Sequence, residues 1–377
     1  MRIGIGATLL TKGMASGHID GIGIYTRSLL DELDKLDLEK SIVNFGDCKS
    51  FHHLYPQHAK ICLPLPYQAA TAYSLLTSLA CPGSKQLAKK IDLFHAPDHY
   101  IPKLNKIPVV ATVMDVISLA HPEWVTSPLR AIKNSAFRNM ARSARQIITI
   151  SEYSKADIVH YLGIPPERIN VTHLGANQAQ PVAPEICQAV LQRYGLERGF
   201  FIFVGTIQPR KNILRIIEAH RMLPIPLQKA CPMVIVGRDG WGSDEILPEL
   251  RALQARGCGR WLDHVSDDEL HALLQSAKAL VYPSLYEGFG LPVLEAFAAG
   301  LPVISSNTTS IPEVAADAAI LVNPKRSEEI ADAMLKLAED AAWAAEMAAR
   351  GRKRLKEFSW EACARQTLDI YQNVAIS

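Results

Sequence analysis

The sequence lacks an excess of charge of either sign, and this balance limits the partners it can have. Its 377 residues carry 40 Lys and Arg against 38 Asp and Glu, a formal net charge of +2. Nucleic-acid binding requires a clustered basic surface, so we expect no nucleic-acid partner. Residues 1–180 hold 19 basic and 14 acidic residues. This modest local excess fits either contact with an anionic surface or ordinary solvated faces.

The cysteine and histidine patterns of metal sites and disulfide scaffolds are also missing. Seven cysteines are scattered through the chain without a CxxC pair. This argues against a disulfide framework and a thiolate metal site, and it fits a reducing cytosol. The twelve histidines include no HExxH motif. We therefore predict a cytoplasmic protein with no bound metal, and composition leaves its oligomeric state open.

Long hydrophobic runs are absent too, although two segments approach a membrane-binding pattern. The stretch 65–83 is the most apolar, but its Gln, Thr and Ser residues favour a buried or interfacial helix over a spanning one. Segment 127–146 places five basic residues among Leu, Ile, Phe and Met at helical spacing. Such a helix either packs its apolar side on a sheet or rests on anionic lipid at the inner face of a membrane. The N-terminal "MRIGIGATLLTKG" is typical of a first strand rather than of a secretory signal.

Short apolar runs alternate with helical periods throughout the chain. Examples are "MRIGIGA" before "IYTRSLLDELDKL" and "FFIFVGT" before "RKNILRIIEAHRML". This order predicts an α/β fold with two doubly wound, Rossmann-like domains of parallel strands facing each other across a cleft. We expect the domains at 1–178 and 179–356. A last helix, 357–377, is expected to pack back on the first domain.

A short stretch with two carboxylates stands out, "YEGFGLPVLEAFAAG", at 286–300. We predict a strand before it, then a tight turn, then a helix beginning near Pro292. Backbone N–H groups at such a helix start lack intrahelical partners and favour phosphate or sugar hydroxyls. The turn residues expected to contact the ligand are Gly288, Phe289, Gly290 and Leu291.

The two carboxylates of this stretch, Glu287 and Glu295, stand eight positions apart. An ionised carboxylate only accepts hydrogen bonds, so it suits hydroxyl groups, which donate them. We expect Glu287 to hold hydroxyls of a sugar ring and Glu295 to hold the two hydroxyls of a ribose. Spacing alone leaves open the alternative of a helix-start charge and a solvent-facing side chain.

Basic residues follow another predicted strand. Arg210 and Lys211 come after Gly205 in the loop "IQPRKN". Doubly wound folds bind ligands at the carboxyl ends of their strands, where these cations would stabilise the growing charge of a leaving diphosphate. The alternative is that both side chains merely begin a helix at a solvent-exposed surface.

A weaker signal comes from Gly21 and Gly23, near the start of the chain. They lack the third glycine of a dinucleotide fingerprint, and we expect them to lie over the diphosphate and the acceptor.

Four stretches together resemble the family 4 glycosyltransferases over nearly the whole chain. They are "GIGIYTRSLLDEL", "VGTIQPRKNILRIIEAH", "HVSDDELHALLQSAKALVYPS" and "PSLYEGFGLPVLEAFAAGLPVISS", the last carrying the E-x7-E motif of that family. The resemblance implies the GT-B fold, a retaining transfer and a donor held mainly by the second domain. It also implies that Arg210 and Lys211 are the cationic pair of the family. The family's Arg directly after the strand glycine is absent, because Thr206 follows Gly205.

The sequence departs from the family at "VVATVMDVISLAHPEW". The resemblance implies a His-Asp pair at the end of this strand, but Met114 precedes Asp115. Methionine neither titrates nor donates a strong hydrogen bond. We expect that His95, His99 or His121 fills the space or that the contact is dispensable. Asp115 orients an acceptor hydroxyl in one reading and caps the strand end in the other.

These observations predict a retaining, metal-independent hexosyltransferase. Its donor would be a GDP- or UDP-linked sugar, with mannose from GDP-mannose preferred by resemblance, and it would need no cofactor. Its acceptor would be a glycan or lipid-linked glycan of a surface polysaccharide such as O-antigen. The alternatives are a sugar-nucleotide epimerase or hydrolase on the same fold, a transferase using UDP-linked glucose or N-acetylglucosamine, or a non-catalytic sugar-binding relative.

Overall fold

The computed structural model describes residues 1–17, 19–46, 56–125, 129–176 and 180–376. These residues group into two compact units. The first comprises Met1–Pro122, Thr126–Gly175 and Trp360–Ser377, and the second comprises Glu123–Val125 and Ala176–Ser359. The expected boundaries at 178 and 356 lie within three residues of these limits.

The first unit is built on a parallel sheet with the strand order β3-β2-β1-β4-β5-β6-β7. All its neighbouring strands pair in the parallel sense. The strands Arg2–Gly6, Leu93–Ala96 and Val109–Thr112 at its centre are almost entirely buried, as expected of strands covered on both faces. The strands are β1 Arg2–Gly6, β2 Glu39–Phe45, β3 Ala59–Leu63, β4 Leu93–Ala96, β5 Val109–Thr112, β6 Gln146–Thr149 and β7 Ile169–Val171.

Helices of the first unit connect these strands. They are α1 Thr8–Ser16, α2 Gly21–Leu33, α3 Tyr67–Thr77, α4 Ser84–Leu87, α5 Ile117–Ala120, α6 Arg130–Ser143 and α7 Glu152–Leu162. The C-terminal helix, α17 at Trp360–Ile376, belongs to the same unit and contacts α2 and β6.

The second unit repeats the plan with a parallel sheet ordered β10-β9-β8-β11-β12-β13. Its strands are β8 Phe201–Val204, β9 Met233–Val236, β10 Gly259–Leu262, β11 Ala279–Tyr282, β12 Val303–Ser306 and β13 Ile320–Val322. Its helices are α8 Pro184–Tyr194, α9 Ile213–Met222, α10 Ile225–Ala230, α11 Ile246–Ala255, α12 Asp267–Ser276, α13 Leu291–Ala298, α14 Ile311–Ala315, α15 Ser327–Glu339 and α16 Ala341–Leu355.

A polar chain inside the first unit links α17 to the sheet. The Nδ1 atom of His95 lies 2.6 Å from the Tyr371 hydroxyl, and its Nε2 atom lies 2.8 Å from Oγ1 of Thr112. Thr112 in turn lies 3.0 Å from the Tyr25 hydroxyl. Burial lowers the pKa of His95 to about 3, so the ring is neutral and each nitrogen has a partner. His95 is therefore committed to holding the C-terminal helix.

The described cysteines differ from the expectation in one respect. Five of them, Cys81, Cys187, Cys231, Cys258 and Cys363, are free and buried, as small apolar side chains often are. Cys62 forms a disulfide bond. The scattered spacing of the cysteines, which argued against disulfides, did not predict this bond. None of the helices in the described ranges is long and apolar enough to cross a membrane.

Candidate functional site

The strand order of the second sheet reverses at its central strand, β8. Strand β8 has β9 on one side and β11 on the other. The chain adds β9 and β10 on one side of β8 and then crosses back to add β11 on the other side. In open α/β sheets such a switch point leaves a ligand crevice beyond the carboxyl ends of the strands. Gly205 and the 3₁₀ turn Pro209–Lys211 follow β8, and Glu287 follows β11. The structure thus brings together residues that lie about 80 positions apart in the sequence.

Glycines let the backbones at this edge pass closely. Gly205 has a φ of 148°, a conformation that favours glycine. A Cβ atom at Gly237, which follows β9, would lie 1.9 Å from the carbonyl oxygen of Gly205. Only glycine fits there, so the loop after β8 can pack directly on the loop after β9.

Glu287 is almost fully buried between the two predicted cations. Its Oε1 accepts a hydrogen bond of 2.6 Å from Nζ of Lys211, and its Oε2 accepts one of 3.1 Å from Nη1 of Arg210. The same Arg210 nitrogen donates to the Tyr286 carbonyl oxygen at 3.2 Å. Glu287 therefore positions both cations through charge-assisted hydrogen bonds.

Electrostatics keep this carboxylate ionised. Burial by itself raises the pKa of Glu287, but the charges of Lys211 and then Arg210 outweigh burial and bring the pKa down to about 2. Two positive groups share one negative group, so the cluster keeps a net positive charge. Such a cluster suits an anionic ligand such as a diphosphate.

Tyr282 completes the cluster and was missed by sequence reasoning. Its hydroxyl donates to Oε1 of Glu287 at 2.7 Å and accepts a hydrogen bond from Nζ of Lys211. The Lys211 nitrogen also lies 4.8 Å from the centre of the Tyr282 ring, a cation–π distance. The available signal was a phenol at the last position of an otherwise aliphatic strand, just where ligands bind in this kind of sheet.

Asn212 fixes the loop that carries the cations. Its φ of 63° is unusual for a residue other than glycine, although Asn tolerates it better than most. The side-chain Nδ2 donates to the carbonyl oxygens of Pro283 at 2.9 Å and Pro324 at 2.6 Å. A further bond of 2.8 Å runs from the Leu285 N–H to the Arg210 carbonyl oxygen. The loops after β8 and β11 are thus bonded into one frame.

The predicted turn and helix are present at the expected place. Gly290, with a φ of 103°, precedes α13, and Leu291 is the first residue of that helix. A Cβ atom at Gly290 would lie 2.6 Å from Cδ1 of Ile311. Phe289 packs its ring edge-on against Phe358 at 5.8 Å. Phe289 therefore contributes packing beneath the turn, and Gly290 permits the close approach of α14.

Glu295 lies on α13 and is partly buried. Burial, with a smaller effect from Asp267, raises the pKa of its carboxyl to about 7. The two glutamates of the motif thus have opposite electrostatics: Glu287 is held ionised by cations, whereas Glu295 is near its titration point at neutral pH. Their predicted contacts with sugar and ribose hydroxyls stay predictions.

In the first unit, the predicted glycine loop is the first turn of a helix. Gly21 begins α2, and the side chain of Asp20 caps that helix by accepting a 2.8 Å bond from the N–H of Gly23. A Cβ atom at Gly23 would lie 2.5 Å from Cγ2 of Ile19, whereas Gly21 meets no atom within 4 Å. Glycine is therefore required by packing at position 23 and not at position 21.

Asp115 and Met114 lie just beyond β5 in the same unit. The Oδ1 atom of Asp115 accepts a 3.1 Å hydrogen bond from the N–H of Ile117. This bond is the strand-end cap that the sequence allowed as an alternative role for Asp115. The N–H of Met114 donates to Nε2 of His99 at 3.0 Å. Of the three histidines considered, His99 is the one that this bond places beside Met114. The backbone φ of His99 is 61°. Burial lowers the pKa of its imidazole, although the charges of Asp115 and Asp20 act to raise it.

Comparison with known proteins agrees with this architecture. Residues 192–354 match the family described as glycosyl transferases group 1, and residues 19–180 match the family described as Glycosyltransferase Family 4. The chain is 34% identical over 283 residues to O-antigen chain mannosyltransferase B of Escherichia coli, covering 74% of each chain. It is 30% identical to the MMP alpha-(1->4)-mannosyltransferase of Mycolicibacterium hassiacum, covering 70% of this chain and 65% of that one.

Two solved structures share the fold. Sucrose-phosphate synthase from Thermosynechococcus elongatus has a TM-score of 0.77 at 19% identity, with 100% of both chains covered. HepE from Anabaena, in complex with UDP and glucose, has a TM-score of 0.75 at 17% identity, with 99% of this chain and 100% of that chain covered. The class is therefore a GT-B glycosyltransferase with two Rossmann-like domains. The chain belongs to the family 4 glycosyltransferases and is a hexosyltransferase, related to O-antigen mannosyltransferases.

Proposed function

We propose that the protein transfers mannose from GDP-mannose, with retention of configuration, to a glycan or lipid-linked glycan during synthesis of a surface polysaccharide. The relatives whose names specify mannosyl transfer support the choice of sugar. The observation that carries the proposal is the Arg210–Glu287–Lys211 cluster at the β8/β11 switch point. It presents fixed positive charge where a nucleoside diphosphate would lie.

The reaction breaks the bond between the anomeric carbon and the diphosphate oxygen, so negative charge grows on the diphosphate. Arg210 and Lys211 stabilise that charge more in the transition state than in the ground state. The acceptor hydroxyl oxygen forms the new bond on the same face of the sugar, and its proton passes to the leaving diphosphate oxygen. Because two side-chain cations supply the positive charge, the proposed reaction needs no metal ion.

Most of the remaining predicted residues have a proposed place. Glu295 holds the ribose hydroxyls, and the N-terminal turn of α13 approaches the donor with Gly288, Gly290 and Leu291. We assign the acceptor to the first unit, where Asp115 orients its hydroxyl. Gly21 and Gly23 border the acceptor at the start of α2, where the positive end of the helix suits phosphate or hydroxyl oxygens.

The deciding experiment is a panel of radiolabelled nucleotide-sugars with lipid-linked oligosaccharide acceptors. We expect labelled mannose to enter the glycan from GDP-mannose, with an α-linkage shown by a linkage-specific mannosidase. Incorporation from a UDP-sugar instead would overturn the donor assignment. An epimerised or hydrolysed donor with no glycan product would overturn the transferase itself.

The proposed independence from metal is tested on the same reaction. We expect EDTA to leave the initial rate nearly unchanged. Complete loss that a divalent cation restores would show that Arg210 and Lys211 do not suffice for the leaving diphosphate.

A further inference from the structure

The surface of α3 is unlike that of an ordinary solvent-facing helix. Residues 61–84 contain no Asp, Glu, Lys, Arg or His. An uncharged segment of this length is normally buried, since the exposed face of a surface helix is normally polar. Here Leu76 is 87% exposed and Leu79 is 57% exposed, with Tyr73 and Leu75 also exposed. Of the two sequence-based alternatives for this segment, a buried helix is therefore wrong.

The helix is nevertheless firmly attached to the first unit. Tyr67, at its start, stacks on Tyr100 with ring centres 4.2 Å apart and meets Phe45 edge-on at 5.5 Å. The Tyr67 hydroxyl donates to the Ile101 carbonyl oxygen at 3.2 Å. At the other end, Nζ of Lys103 donates to the Ser78 carbonyl oxygen at 2.7 Å. The leucines thus project from an anchored helix, and local unfolding does not explain their exposure.

Positive charge borders this apolar surface. The sequence from 48 to 91 contains five lysines and no Asp or Glu. Lys85, Lys89 and Lys90 are exposed on and just after α4, which follows the uncharged segment. Lys103 touches the end of α3 directly. The nearest acid that follows, Asp92, is paired with Arg2 at 2.7 Å.

A cavity with cations in its wall adjoins the same surface. It has a volume of about 720 Å³, lies at the amino ends of β5 and β6, and is lined by Lys103, Arg145 and Arg168 with one acid, Glu167. Arg168 is held by a 2.9 Å bond to the Arg142 carbonyl oxygen. The side chain of Arg145 forms no hydrogen bond or ion pair with another described residue. Lys103 lines the cavity and also bonds to the end of α3, so this lysine links the two features.

We propose that α3 and this cavity dock the protein on a bilayer that contains anionic phospholipid. Leu76 and Leu79 enter the interface, and Lys103, Arg145 and Arg168 hold headgroup phosphates. Stable docking on a membrane needs two signals, and this surface supplies apolar insertion together with clustered positive charge. Pairing with a second copy is disfavoured, because a two-fold contact through α3 would bring the lysines of both copies together.

Helix α6, within the segment first predicted to meet lipid, is less suited to this role. Nε of Arg138 and Nε of Arg142 donate to the carbonyl oxygens of Tyr161 at 3.2 Å and Leu162 at 2.6 Å. Two of its cations thus cap the end of α7. Residues 127 and 128 of that segment lie outside the described residues. Leu129 and Ile132 are exposed near its start, so they provide a direct comparison in the test.

The test is co-sedimentation of the full chain with vesicles, with no donor or acceptor present. We expect the wild type to bind phosphatidylcholine vesicles containing phosphatidylglycerol and to bind pure phosphatidylcholine weakly. The double variant Leu76→Gln/Leu79→Gln should lose about tenfold or more in vesicle affinity, since two inserted apolar side chains are removed. Arg145→Gln should weaken binding only to the anionic vesicles.

Two control variants make the outcome decisive. Leu129→Gln/Ile132→Gln and the second-unit variant Ile225→Gln, all at exposed positions, should bind like the wild type. Unchanged binding by Leu76→Gln/Leu79→Gln, or loss confined to Leu129→Gln/Ile132→Gln, would overturn the proposal. A dimer in light scattering that Leu76→Gln/Leu79→Gln converts to monomer would also overturn it. Because no sugar donor is used, failure here is distinct from failure of the proposed transfer.

Discussion

The phenolic hydroxyl of Tyr282 and Oε1 of Glu287 lie 2.7 Å apart, with the hydroxyl donating and the carboxylate accepting. Burial first, and then the neighbouring charge of Glu287, raise the pKa of Tyr282 well above its ordinary value. The phenol therefore keeps its proton at all ordinary pH values. The phenolic oxygen also accepts a hydrogen bond from Nζ of Lys211. Tyr282 therefore sets the distance between the Glu287 carboxylate and the Lys211 ammonium group.

Tyr282→Phe should lower kcat while changing KM little. The variant keeps the ring over Lys211 but removes the hydroxyl that positions it. A hydrogen bond to a charged group is worth about 1.5–3 kcal/mol, so we expect a roughly 10- to 100-fold decrease in kcat. Steady-state kinetics at saturating donor check this. Tyr25→Phe, which removes another buried hydroxyl in the first unit, is the matched control and should keep its kcat.

Glu287→Gln should destabilise the second unit as well as slow transfer. The substitution leaves Lys211 and Arg210 without their shared negative partner, and breaking a buried ion pair in this way costs about 3–5 kcal/mol. Urea unfolding measures the loss. Glu346→Gln, which breaks an exposed pair with Arg350, should cost less than about 1 kcal/mol. Equal stability of the two variants would contradict the assigned role of Glu287.

The Glu287 carboxylate should also make the free energy of unfolding depend on pH in the acid range. The pKa of Glu287 is lowered in the folded protein from 4.5 to about 2. Its contribution is therefore fully present above about pH 4.5 and is lost as the pH falls toward 2. Unfolding free energies of wild type and Glu287→Gln should converge over that acid range. A constant difference between them down to pH 2 would argue against an ionised Glu287.

Glu295 should make the stability of the protein depend on pH in the opposite sense near neutral pH. Burial raises its pKa in the folded protein from 4.5 to about 7, so ionisation opposes folding and stability falls as the pH rises through this interval. Without donor, Glu295→Gln should therefore gain stability relative to the wild type at pH 8 but not at pH 4. Donor affinity of the wild type should increase above pH 7, because an ionised carboxylate accepts hydroxyl hydrogen bonds better. Titration calorimetry of GDP-mannose at pH 6 and pH 8 measures this change.

Gly290→Ala should destabilise the turn before α13. A φ of 103° is strained for alanine, and its Cβ atom would meet Ile311 at 2.6 Å. We expect a loss of about 1–3 kcal/mol in the free energy of unfolding. Gly21→Ala is the contrasting control, since the added methyl group meets no atom within 4 Å at the start of α2. That variant should be neutral or slightly more stable, because alanine favours helix.

The sequence determined the parallel α/β units, the turn at Gly290 and the helix at Leu291, because strand and helix periods and glycine requirements are written in neighbouring residues. It also indicated Arg210, Lys211 and Glu287 as residues of one site. Only the tertiary structure showed that Tyr282 joins Glu287 to Lys211, because those contacts connect loops about 70 residues apart. Likewise, the uncharged sequence of residues 61–84 is compatible with either a buried or an exposed helix. Which of the two applies to α3 depended on whether other elements covered it, a property of packing that no local pattern contains.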